Sequence, residues 1–408
     1  MQSLFNPSFF INNRRALKEL CQKCSLIIVG ANTLVQRNND SSYFFSQDRN
    51  FWYLTGINEP DAILVIDNDE EYLIMPNKSH YQVIFDGINS PDQLSRTSGI
   101  VKVLDYSDGF ILINQKIKKY GSLGIINKTD KYLETFGFWT NPGPSNLVEK
   151  IKNNNSKVEL VDISQYLITL RQIKQPVEIK AIKKAIAITE EAVMYVKNKL
   201  YDYKFEYQIE ADIDHFFKFN YNVEHAFDPI IASGKNACVL HNRENSGVLR
   251  KSNLVTIDIG AEYQNYAADI TRTYSLSNSS SKFQEKIFEA VKKVHTQAMN
   301  ILKPGVFLKD CEQQIESLIG DELLALNLIK NKSISEIRKI YPHSSSHFLG
   351  LEVHDVGHYN EPLKPGMILT VEPGIYLQNK SIGVRIEDDI LITKKGNILL
   401  SSLPRILN

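Results

Sequence analysis

Apolar positions along this chain change period from segment to segment, and the changes outline its elements. An amphipathic stretch, RRALKEL (14–20), precedes the apolar run LIIV (26–29). AILVI (62–66) and EYLIM (71–75) flank a polar NDE and read as a hairpin, while KVLDY (102–106) and SLGII (122–126) read as further strands. Residues 1–165 therefore alternate short helical and strand patterns, as an α/β domain does. A boundary falls near 165–177, where LRQIKQPVEI leads into a long amphipathic helix over about 177–198. Pro176 suits that helix's first turn and Glu178 its positive end. Further helical stretches span 282–302 and 307–326, the first stopped by KPG at 303–305. The runs LVTIDI (254–259) and AADITRTYSL (267–276) read as strands, and SNSSS (277–281) as a loop. Strands and helices group in this second part, which predicts an α+β fold. The expected domains are 1–170 and 171–408.

Composition narrows the function classes. With 408 residues and 43% hydrophobic content, the chain can build two ordinary cores. Lys plus Arg equals Asp plus Glu at 47 each, so no basic footprint for nucleic acid exists. No apolar run approaches the roughly 20 residues of a membrane span. The opening MQSLFNP lacks a charged region followed by an apolar stretch, so no secretory signal is expected, and the expected compartment is the cytoplasm. Of four cysteines, Cys21 and Cys24 form a CQKC pair. Its position between an amphipathic stretch and an apolar run reads as incidental, and a reduced protein is expected. SGK (233–235) is no phosphate loop, because Pro229 stands where the upstream glycine belongs, and there is no G-x-S-x-G elbow.

The last third carries the chemistry. Asp258, Asp269, His347, Glu372 and Glu387 lie in TIDIG (256–260), AADITR (267–272), HSSSH (343–347), TVEPG (370–374) and RIEDD (385–389), each patterned as a strand or strand end. Together the five read as one metal site. A hairpin turning about Tyr263 and Gln264 sets position 258 directly opposite 269, with Cβ atoms roughly 5 Å apart. Two carboxylates that close repel unless cations lie between them. Taken alone, the pattern equally suits a surface hairpin carrying two aspartates. Glu372 interrupts an apolar run and needs a partner if buried. Arg385 and Glu387 alternate onto one face, so Arg385 could supply a salt bridge to Glu387.

These segments resemble the pita-bread metallopeptidase family, which includes methionine aminopeptidase, prolidase, aminopeptidase P and the metal-free creatinase. The likeness covers about 172–408 through DIGAEY, AADITRT, SHFLGLEVHDVG (346–357), TVEPGIY and GVRIEDD. Residues 37–65, with SSYFFSQDRNFWYLTGINEPDAILV at their centre and end, resemble the opening domain of aminopeptidase P. The resemblance implies a smaller N-terminal α/β domain ahead of a pita-bread (creatinase/methionine aminopeptidase-like) catalytic domain. It also implies two divalent metals on Asp258, Asp269, His347, Glu372 and Glu387. Oxygen-rich donors favour Mn²⁺ over the pattern of a structural zinc site.

By the same resemblance the activity is metal-dependent hydrolysis of the N-terminal Xaa-Pro bond, by a water held between the metals that ionises near neutral pH. Glu372 is the expected proton acceptor. His241, His343 and His354 match non-ligand histidines of the site that meet the substrate, and Tyr376 a tyrosine near the cleft. Arg385 is expected to orient carboxylates, and Asp355 to anchor backbone. Substrates would be peptides with proline second, and the assembly a homo-oligomer, dimer or tetramer. Ser344 stands where glycine is usual, and Asn242 where an aromatic is common. The alternatives are a prolidase confined to dipeptides and a non-catalytic pita-bread binding protein.

Overall fold

The computed structural model describes residues 3–127, 137–277 and 280–408. Met1 and Gln2 of the opening segment, and positions 278 and 279 of the 277–281 loop, lie outside them. The chain divides into two compact units, Met1–Leu170 and Arg171–Asn408.

The first unit is built on a six-stranded mixed sheet. Its strands run in the order Lys102–Asp105, Glu71–Met75, Ile63–Asp67, Leu26–Gly30, Ser122–Ile125, Glu159–Asp162. Leu26, Ile27, Ile28 and Val29 are all buried, as a central strand covered on both faces must be. The expected hairpin forms, with Ile63 opposite Ile74 and Val65 opposite Tyr72. Helix Pro7–Leu20 starts at Asn6, whose side chain accepts from the Phe9 amide, and ends at Cys21. There the structure corrects the sequence reading: Cys21 and Cys24 are joined as a disulfide. The Cys24 amide donates to the Cys21 carbonyl at 2.9 Å, a tight turn after the helix that sets the two Cα atoms 5.5 Å apart. Cys238 and Cys311 are free and buried.

The second unit opens with helix Pro176–Lys197, where Glu178 reaches back to the Gln175 amide at 2.8 Å. The helical stretches become Lys282–Ile301, capped by Ser281, and Leu308–Ala325. Helix Lys282–Ile301 packs against strands Ile368–Val371, Gly374–Leu377 and Ile382–Arg385 and against helix Leu308–Ala325, in a core that includes Ile287, Val291, Ile315, Leu369, Val384 and Ile390.

The hairpin expected to set Asp258 opposite Asp269 turns one residue later. Gln264 and Asn265 take the turn, with φ of 50° and 69°. Asp258 therefore faces Thr271, and the single strand expected over 267–276 divides into Tyr266–Ala267 and Ile270–Ser275. The division falls where the two backbones come together, since a Cβ on Gly260 would lie 1.8 Å from the Ala268 carbonyl oxygen. Asp269 sits at that break. It lies two residues before Thr271, the partner of Asp258 in the ladder.

Hydroxyls stitch this sheet to the next. Thr256 and Thr273 are 3.1 Å apart through their Oγ1 atoms, and Thr273 both accepts from the Arg385 amide and donates to its carbonyl. Beside them Arg272, 1% exposed, donates to the carbonyls of Thr271, Glu387 and Leu403 and to Asp388 Oδ1 at 2.6 Å. Burial opposes ionisation of Asp388, but Arg272, His295 and Arg405 hold its carboxyl far below the usual range. That stabilisation is present above the ordinary carboxylate pKa and is lost as pH falls through the folded value. Removing one partner of such a pair is costly because the other charge stays buried. Arg272→Ala is expected to cost about 3–5 kcal/mol in urea unfolding at neutral pH. A loss below about 1 kcal/mol would mean that the remaining cations suffice.

Candidate metal centre

Strand geometry delivers the acids. Asp258 lies on strand Leu254–Ile259, Glu372 directly follows Ile368–Val371, and Glu387 lies between Ile382–Arg385 and Asp388–Thr393. His347 is the exception to the expected strand ends, sitting in an irregular loop held against a strand. Its amide donates to Thr370 Oγ1 at 3.2 Å, and its carbonyl accepts from the Thr370 amide at 3.0 Å.

The donors converge. His347 Nε2 is 3.5 Å from both Asp269 Oδ2 and Glu372 Oε1. One donor atom each from Asp269, His347 and Glu387 lie within 4.8 Å of one another. His347 Nδ1 is 3.1 Å from the Phe348 carbonyl oxygen, which can only accept, so the proton belongs on Nδ1. Nε2 then presents a lone pair to the carboxylates, the arrangement of a metal-ligating imidazole. Asp258 is tied to Arg385 Nη2 through Oδ2, while its Oδ1 is buried without a partner.

Electrostatics make the cluster unstable alone. Burial, reinforced by neighbouring carboxylates, drives Asp269, Glu372 and Glu387 well above the usual carboxylate range. For Asp269 the chief repulsive neighbour is Asp258, for Glu372 it is Glu387, and for Glu387 it is Asp269. His347 falls to about 3, first through burial and then through His354, whose ring stands perpendicular to it at 4.2 Å. An orphaned carboxylate oxygen, an imidazole lone pair and clustered acids that resist ionising together are what hard divalent cations would satisfy. The residues present fit such ions.

Around these donors, Arg385 is 5% exposed. Besides Asp258 it donates to Tyr376 Oη at 3.1 Å and to Thr271 Oγ1 at 3.2 Å. Its expected salt bridge to Glu387 is replaced by Thr271, which donates to Glu387 Oε2 at 2.6 Å. The sequence reading missed Thr271, although alternation from Asp269 puts it on the ligand face. Asp389 was also missed: it accepts from the Asp269 amide at 3.1 Å.

His343 Nδ1 lies 2.7 Å from the Ser344 carbonyl and its Nε2 2.8 Å from Tyr376 Oη. Burial lowers it to about 3, and raises Tyr376 to about 12. His354 is lowered by burial and by His241. His241 stays open to solvent on a loop, lowered by partial burial and by Arg243, with Asp258 and Arg385 also in its field. Asp355 is ion-paired with Arg171 at 2.5 Å and Lys174 at 2.9 Å, and its amide donates to the Phe348 carbonyl.

Known proteins match this arrangement along the whole chain. Residues 180–394 match the model of metallopeptidase family M24, and 10–122 that of the aminopeptidase P N-terminal domain. The chain is 31% identical to an Xaa-Pro aminopeptidase of Escherichia coli, over 95% of this chain and 93% of the relative. It is 34% identical to one of Haemophilus influenzae, over 91% and 88%. A solved E. coli aminopeptidase P with the inhibitor Pro-Leu superposes with a TM-score of 0.84, at 29% identity over 100% of this chain and 97% of that one. The chain belongs to metallopeptidase family M24.

Metal must displace protons from the raised carboxyls, whereas His347 is neutral above about pH 3. Without metal, Asp269, Glu372 and Glu387 keep their protons to higher pH than ordinary carboxyls, and a metal bound there would release them. The melting-temperature gap between Mn²⁺-loaded and chelator-stripped protein is therefore expected to widen from pH 5 to pH 8, as scanning calorimetry would show. A gap independent of pH would mean that these acids are already ionised without metal.

Proposed function

We propose that this chain is a metal-dependent Xaa-Pro aminopeptidase, hydrolysing the first peptide bond of chains whose second residue is proline. The observation that carries the reading is the convergence of Asp269, His347 and Glu387 donors within 4.8 Å, beside the buried Asp258–Arg385 pair. Support comes from family M24 membership and from the full-length match to Xaa-Pro aminopeptidases. The E. coli neighbour's inhibitor, Pro-Leu, begins with the residue that would follow the cut bond.

Asp258, Asp269, His347, Glu372 and Glu387 would hold two divalent ions, with Mn²⁺ favoured by the hard donor set. When bound, such ions supply Lewis acidity and make water a nucleophile near neutral pH. Glu372, with one oxygen 3.5 Å from His347 Nε2 and the other 3.5 Å from His343 Nδ1, would stand beside the ions as a carboxylate, placed to take a proton from water there as general base. His354 and His241, both lowered first by burial and both in the field of Asp258, can donate to a carbonyl whose oxygen gains charge. His343 is fixed by Tyr376 and by the Ser344 carbonyl, and lines the site beside Glu372, 3.5 Å away.

An Xaa-Pro bond has no N–H and a fixed φ, so a cleft that accepts it makes no demand for that donor. The substrate's free amine would meet the carboxylates near Asp269. A dimer or tetramer accords with the pita-bread family.

Metal-stripped protein with Arg-Pro-Pro tests the reading, without and with Mn²⁺. Release of Arg only with metal is the expected result. Cleavage of Gly-Pro alone would make the protein a prolidase, and no cleavage of either would leave a binding protein. Glu372→Gln is expected to lower kcat by at least about 10²-fold with native circular dichroism. Near-normal turnover would remove Glu372 from proton transfer.

A further inference from the structure

His343 and His347 lie on a loop with no strand of its own, and with Ser344 rather than a glycine at its turn. Two acids one helical turn apart on helix Leu308–Ala325, Glu312 and Glu316, reach this loop at two points. Glu312 grips Ser345 twice. Its Oε2 accepts from the Ser345 amide at 2.8 Å, and its Oε1 from the Ser345 hydroxyl at 2.9 Å. The Ser345 carbonyl in turn accepts from the Glu372 amide at 2.9 Å. Ser345 is fully buried, so these bonds have no water competing for them. Glu316 acts through Arg338, which it pairs at 2.5 Å and which donates to the His343 carbonyl at 3.0 Å.

We propose that Glu312 and Glu316 are separate positioning residues for the two histidines, Glu312 fixing the metal-facing side of the loop and Glu316 the substrate-facing side. This rests on the reading of His347 as a ligand and His343 as a substrate-side group. The chemistry makes Glu312 hard to replace. A carboxylate accepts two bonds at once from adjacent N–H and O–H donors, whereas glutamine turns one of its ends into a donor, so the Ser345 hydroxyl must turn its hydrogen away and the charge that strengthens both bonds is lost. Loosening Ser345 leaves His347 to its two Thr370 bonds alone and frees the Glu372 backbone from the Ser345 carbonyl. Loosening Arg338 frees only the His343 end.

Full-length, metal-stripped protein is titrated with Mn²⁺ by calorimetry, and Arg-Pro-Pro kinetics are run in saturating Mn²⁺. Glu312→Gln is expected to weaken Mn²⁺ binding by at least about tenfold, the usual effect of losing a ligand's support. Glu316→Gln is expected to leave Mn²⁺ affinity unchanged while raising KM several-fold. Ser345→Ala, which removes one of the two bonds to Glu312, should weaken Mn²⁺ in the same direction but less, and it serves if Glu312→Gln fails to fold. Wild-type Mn²⁺ affinity in folded Glu312→Gln would overturn the assignment. So would equal losses in both glutamate variants that simply track a lower melting temperature. Wild-type protein that binds Mn²⁺ but cleaves no Xaa-Pro peptide would sink the proposed function, while the two Mn²⁺ affinities would still decide the roles of the glutamates.

Discussion

The structure depends on an electrostatic imbalance. Buried Asp258, Asp269 and Glu387 crowd together with half-buried Glu372, and Arg385 bonds to Asp258 among them. Fully ionised, four acids and one guanidinium leave three negative charges. At short range in a low-dielectric interior such repulsion is large, so without metal the acids must keep protons. Two divalent cations would add four positive charges and leave a net of one, which an incoming anion could neutralise. The site is therefore built to be incomplete on its own. Its carboxylates are held where only cations make them comfortable.

Holding them there occupies much of the second unit. Burial alone would let raised-pKa acids swing toward any donor, so their backbones are fixed from several directions. Thr256 and Thr273 join one sheet to the next, and Thr273 brackets Arg385 through both its amide and its carbonyl. Arg272 fastens the Glu387 carbonyl to the C-terminal segment through Leu403. Thr271 stands between Arg385 and Glu387. Since Arg385 can only donate, the single Thr271 hydrogen points to Glu387. Arg385 thus restrains both Asp258 and Glu387 while directly neutralising only the first, which preserves charge on Glu387 for a metal.

Much of this was legible in the sequence for physical reasons. Elements with strong periodicity, such as helix Pro176–Lys197 and the Ile63–Asp67 hairpin, announce themselves through burial patterns. The four acids stood out because carboxylates in apolar strands demand explanation, whereas His347, in a loop, stood out by the motif around it. What escaped was set by contacts distant in sequence or by single-residue turn chemistry. Two consecutive residues in left-handed conformation, Gln264 and Asn265, moved the hairpin register. Alternation could pair Arg385 with Glu387, but only the fold brings Asp258 to Arg385, 127 positions away. The Cys21–Cys24 link likewise arises from how the helix end turns, which spacing alone leaves open.

The imidazoles complete the logic. Beside so much negative charge, histidines would ordinarily gain protons and spend the carboxylates' charge on themselves. Burial prevents this: it is the leading influence on His241, His343, His347 and His354, and neighbouring cations and rings push the same way. Neutral imidazoles leave the acids free for cations. They also keep one lone pair and one N–H each, so each ring can accept on one side and donate on the other. His347 spends its N–H on the Phe348 carbonyl and turns its lone pair to the acids, while His343 spends its own on the Ser344 carbonyl and meets Tyr376. Both rings are thus oriented by carbonyls of their own loop. The direction in which they offer their chemistry is fixed by how that loop is held, rather than by the ions or substrate they meet.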